Sequence, residues 1–133
     1  MGLKGRVYWI QRHYGTIPGL WDKVPIVENL HIKTLEAIEN GQRLNMGDWH
    51  GESDDEMEEP KNCDTTHCRA GFAVHLAGQA GYDLDTAIGT ENAATLIIAK
   101  SCPWMVDMPN FYTDDDTALR QIEECASIEK GGV

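Results

Sequence analysis

Apolar residues along this chain recur mostly with the period of an α-helix. The clearest case is "IVENLHIKTLEAIENG", residues 26–41, where Val27, Leu30, His31, Thr34, Leu35 and Ile38 fall on one stripe. Pro25 suits the start of that helix and Gly41 its C-terminal cap. His31 lies within the stripe and reads as a core histidine with a hydrogen-bond partner. A second helix is expected over residues 66–80, capped by Thr65 or Thr66 and stopped by Gly81. One of its faces carries Cys68, Phe72, His75 and Leu76, the other Ala70, Ala73, Val74, Ala77 and Gly78. A helix that is small and apolar nearly all round belongs at the centre of its domain.

Residues 83–88 suit a short helical turn. Thr90 then caps the strongly apolar "ENAATLIIAKSC", which Pro103 ends. "PWMVDMPNFY", residues 103–112, reads as a packed loop. Asp114 or a following Asp caps a last helix that turns Ala118, Leu119, Ile122 and Cys125 inward. The exception to helical spacing is "RVYWIQR", residues 6–12. Its β-branched and aromatic residues alternate in part with polar ones, which predicts a strand turning through "YGTIPG". A free edge there would offer a second copy a pairing site. The sum is a mainly α fold, a compact domain of four to five helices with a short N-terminal β element. Residues 1–24 form its strand and lead-in, 51–62 an acidic surface loop and 129–133 a loose tail.

With 133 residues the chain has room for one domain and a modest core, and it shows no internal repeat. No apolar run reaches the ~18 residues of a membrane span. The N-terminus has neither the apolar core nor the cleavage site of a signal peptide, so a cytoplasmic location is expected. The net charge of −11 argues against nucleic-acid binding, which needs a basic face. "ESDDEMEE", residues 52–59, holds six acids and no base, more than half of that charge. It reads as a solvated loop, or as a surface for a partner protein with a basic face. The binding residues expected on that basis are Trp49, Glu52, Asp54, Asp55, Glu56, Glu58 and Glu59.

The densest chemistry stands in "NCDTTHCRAGFAVHLAGQAG", residues 62–81. Thiolate and imidazole are zinc ligands, and His50, Cys63, His67 and Cys68 could supply four. The spacing departs from the usual C-x2-C knuckle, and adjacent His67 and Cys68 would point about 100° apart at a helix start. Alternatively Cys68 is a nucleophile, since the first turn of a helix lowers a thiol pKa. Its base would have to be His50 or His13, because His75 stands two turns away, about 10 Å. A third reading is plain packing: Cys68 is buried, His67 and Arg69 bond locally, and a threonine caps. A Cys63–Cys68 disulfide is geometrically accessible to a turn but out of place in a reducing cytosol. Cys102 and Cys125 lie in apolar helical patterns and read as core residues.

Several blocks resemble a group of small proteins encoded by phages and prophages, some of which carry the region behind pentapeptide repeats. They are "NMGDWH", "CDTTHCRAGFAVHLAGQAG", "GTENAATLIIAKSCPWMVDMPNFY" and "DTALRQIEECA", within about residues 24–127. The matching positions are Trp49, His50, Cys63, Thr65, Thr66, His67, Cys68, Arg69, Ala70 and Gly71. Phe72 stands where the group usually has Trp, and the acidic segment "GESDDEMEEPKN" separates Trp-His from the first Cys, where the group runs almost directly on. The resemblance, the acidic surface and the incomplete catalytic set together suggest a small acidic phage-type accessory protein. It would bind a host or phage protein without being an enzyme, and would be stabilised by a metal such as zinc. The alternatives are a Cys- or metal-dependent hydrolase centred on Cys68, and a structural or assembly component.

Overall fold

The structure, a computed structural model, describes residues 2–41, 43–44, 66–107, 109, 111 and 113–131. Among these the fold is mainly α, with six α-helices and one two-residue parallel ladder. The N-terminal segment expected as a strand is instead helix α1, Leu3–His13. The physical reason lies in which residues are buried. Leu3 and Ile10 are buried and Val7 packs on the core behind them, a spacing of four then three. The aromatics that suggested alternation, Tyr8 and Trp9, face solvent. There is therefore no strand edge at residues 6–12 to pair with a second copy. The Leu3 N–H donates to the Val106 carbonyl oxygen at 2.9 Å, which ties the start of α1 to the loop after the apolar helix.

Helix α2 spans Leu30–Glu39, four residues later than Pro25 and Val27 led us to expect. Asn29 is in the left-handed region at φ 56°, so the chain turns into the helix there. Val27 stays outside, with its N–H on Ser101 Oγ at 2.9 Å.

The helix expected over 66–80 is two helices. Cys68 is its N-cap and neither threonine is, because the Cys68 Sγ accepts the Gly71 N–H at 3.3 Å. Helix α3, Arg69–Leu76, ends at Ala77, and Gly78 at φ +73° redirects the chain into α4, Gly78–Ile88. Gly81 does not stop a helix. It lets α4 lie against the end of α3, since a Cβ there would strike the Val74 carbonyl oxygen and sit 2.7 Å from Ala77 Cβ.

Helix α5, Thr90–Ser101, buries six consecutive residues from Ala93 to Ile98. It contacts α1, α3 and α4 and is the axis of the domain. Thr90 is its first residue and not its cap. Gly89 holds the cap position, and Thr90 Oγ1 donates to Asp85 at 2.7 Å. Helix α6, Asp115–Glu129, is capped by Asp114 as expected, with the Thr117 N–H at 2.8 Å. It packs chiefly on α2, and α2 reaches the rest through α3. The ladder pairs β1, Arg43–Leu44, with β2, Thr66–His67.

Candidate metal centre

Three chain positions far apart in sequence meet where α2, α5 and α6 end or begin. His31 is in the first turn of α2, Cys102 is the C-cap of α5, and Glu129 is the last residue of α6. His31 and Cys102 are 2% and 1% exposed, and Trp104 packs near the imidazole, ring centres 6.2 Å apart.

Glu129 caps α2 from another element. Its carboxylate accepts the backbone N–H of His31 at 2.8 Å and of Ile32 at 3.0 Å. Those are donors that a helix start leaves unsatisfied, at the positive end of its dipole. The same carboxylate accepts His31 Nδ1–H at 2.6 Å, and the Cys102 thiol lies 3.5 Å away. Burial pushes Glu129 up, but the His31 side chain and the two backbone N–H groups outweigh it and hold the acid below its ordinary range. Burial and then the Glu129 charge push the Cys102 thiol well above its ordinary value, so it stays protonated and donates.

Arg69, from the start of α3, closes the other side. Its guanidinium donates to Gln121 Oε1 at 2.8 Å and lies 3.4 Å from His31 Nε2 and 3.9 Å from Cys125 Sγ. An arginine can only donate, so His31 Nε2 accepts and its proton sits on Nδ1, facing Glu129.

Nitrogen, sulfur and oxygen donors within 4.8 Å of one another can hold a metal ion. Zinc bonds of about 2.3 Å to sulfur, about 2.05 Å to nitrogen and about 2.1 Å to oxygen give tetrahedral S–N and S–O edges of about 3.6 Å and an N–O edge of about 3.4 Å. The corresponding distances are 3.7 Å from Cys102 Sγ to His31 Nδ1, 3.5 Å from Cys102 Sγ to Glu129, and 2.6 Å from His31 Nδ1 to Glu129. Two edges fit. The third is a hydrogen bond that opens by less than 1 Å when an ion replaces its proton. The Cys102 thiol would release its proton to solvent on binding the ion, and the His31 proton would move to Nε2 and turn Arg69 toward Gln121 and Cys125.

Of the metal-ligating, nucleophilic and binding residues expected from the sequence, only His67 and Cys68 are among the described residues. Trp49, His50, Glu52, Asp54, Asp55, Glu56, Glu58, Glu59, Cys63 and Thr65 are outside the described residues. His67 is in β2, with its side chain also outside them. Cys68 is buried, and its thiol caps α3 by accepting the Gly71 N–H. His31 and Cys102 were legible as core positions, whereas Cys125, expected in the core, is half-buried beside the cleft. Glu129 was not, because the sequence pattern placed it at the start of a loose tail, whereas it closes α6 and caps α2. No spacing rule joins residues 27, 71 and 98 positions apart. No family model, curated protein or solved structure matches this chain. Among the described residues, no helix is long and apolar enough to cross a membrane.

Proposed function

We propose that this chain is a small acidic accessory protein of phage type that acts by binding another protein, and that zinc at His31, Cys102 and Glu129 stabilises its core. The observation that carries the reading is a contrast between interior and surface. The polar centre is enclosed and ties three helix ends together, while Trp104, Val106 and Ile128 stay in solvent around one cleft of about 380 Å3. Apolar side chains gathered in this way mark an interaction site. Asp107 and Glu124 border the same cleft, and with the net charge of −11 they favour a partner with a basic face. The mixed S/N/O donor set favours zinc over magnesium or calcium, which take oxygen ligands.

Two measurements test this. Cobalt(II) added to protein purified under reducing conditions should give the near-ultraviolet band of a thiolate–metal bond. The band should vanish in Cys102→Ser and persist in Cys68→Ser. Failure of wild-type protein to produce it removes the metal. For binding, the immobilised protein should retain a partner from bacterial lysate in saturable amounts, with loss in Val106→Glu. Recovery of no partner ends the binding reading.

A further inference from the structure

The motif "RVYWIQRH" plays no part in the centre or the cleft, yet it makes the least expected surface of the molecule. The solvent face of α1 presents Lys4, Gly5, Tyr8, Trp9, Arg12 and His13. Tyr8 is 62% and Trp9 41% exposed. Their side chains are held in place by neighbours on the helix. Arg12 donates to Tyr8 Oη at 3.1 Å, and the Arg6 guanidinium lies 4.8 Å from the Trp9 ring centre. The His13 ring stacks on Trp9 at 4.8 Å, within 11° of parallel. Gly5, Tyr8, Trp9, Arg12 and His13 line a shallow, open depression on this face.

The charge of this face runs against the rest of the chain. Lys4, Arg6 and Arg12 are three of only 11 bases, and the first acid in the sequence is Asp22. Among the described residues, no carboxylate forms an ion pair with them. Ordered Trp, Tyr and Arg side chains are the residue types that dominate protein–protein hot spots.

We infer that the exposed face of α1 docks an acidic segment of a partner protein. This rests on the binding reading above and adds to it a second surface, of opposite charge to the cleft. The choice of occupant follows from charge and stacking. A long polyanion such as nucleic acid would meet the field of a molecule carrying −11. A short acidic segment feels mainly the α1 cations, because charges farther than about 8 Å are screened at physiological salt. Stacked bases would also have to displace Arg6 and His13, which reach Trp9 from the turns before and after it. Lys4 and Arg12 stand two turns apart on one stripe, about 12 Å, a spacing that carboxylates two turns apart on a partner helix can match.

The test uses the full chain and a short fluorescein-labelled peptide of Glu, Leu and Ala, read by fluorescence polarisation. The expected result is binding below about 100 μM that weakens with added salt. It should fall at least tenfold in the double variant Lys4→Glu/Arg12→Glu, whose fold is checked by circular dichroism. Equal binding by the double variant, no binding by wild type, or tighter binding of oligothymidylate would each overturn the inference. A lysate partner retained equally by the double variant would overturn the α1 surface and leave the binding reading intact. Recovery of no partner at all would end both.

Discussion

Glu129 illustrates how much one side chain does here. It caps α2, anchors His31 and receives the Cys102 thiol. Replacing it with Gln keeps the shape but leaves buried donors without a charged acceptor. Glu129→Gln should lower unfolding stability by about 2–4 kcal/mol in urea titration. The same residue sets an acid limit. Its folded pKa lies below the unfolded value near 4.5, so its contribution is complete above that pH and is lost as the pH falls through the folded value. Stability measured against pH should drop in that window, and the drop should shrink in Glu129→Gln. Cys102 behaves in the opposite sense. Burial and the Glu129 charge raise its pKa, so iodoacetamide near neutral pH should leave it unmodified in the native protein and label it in urea, as read by mass spectrometry. Neither role was visible in the linear pattern, since each depends on a partner many residues away.

At the scale of elements, helix existence was more legible than helix ends. The stripes of α2 and α6 stand out because burial repeats with the helical period, and α5 stands out because its run from Ala93 to Ile98 is buried throughout. The ends were moved by contacts that periodicity does not carry. Asn29 delays α2 until Glu129 can cap it, and Gly78 divides the expected 66–80 helix in two. The two glycines of α4 should respond differently to alanine. Gly81→Ala puts a methyl group onto the Val74 carbonyl and should cost about 1–3 kcal/mol. Gly78→Ala meets open space but strains a backbone at φ +73°, and should cost about 1 kcal/mol. Thermal unfolding of both variants separates close approach from backbone strain. The N-terminal segment was misjudged for a related reason. Its aromatics Tyr8 and Trp9 are on the wet face, so their partial alternation with polar residues does not follow burial.

The whole molecule is organised around α5, whose buried run from Ala93 to Ile98 meets three other helices. Ile97 is fully buried there, whereas Ile26 is 60% exposed. Ile97→Ala should therefore cost about 2–5 kcal/mol, and Ile26→Ala should stay within about 0.5 kcal/mol, by chemical denaturation. The α2–α6 pair is a second packing unit, and the polar centre joins it to the end of α5. Loss of that centre should loosen α2 and α6 before α5, as amide exchange that quickens in α2 and α6 more than in α5 would show.

The sequence by itself determined the class of the fold, because the helical spacing of apolar residues is a local property that needs no partner to be read. It also marked α5 as strongly apolar, His31 and Cys102 as interior, and Asp114 as a cap. The tertiary structure alone decided which interior polar residues face each other. It joined His31, Cys102 and Glu129, made Glu129 a cap for a helix far from it in the chain, and turned Tyr8 and Trp9 outward. Those outcomes depend on how whole helices pack, and the angle and depth of that packing follow from the sum of many contacts that no single stretch of sequence contains.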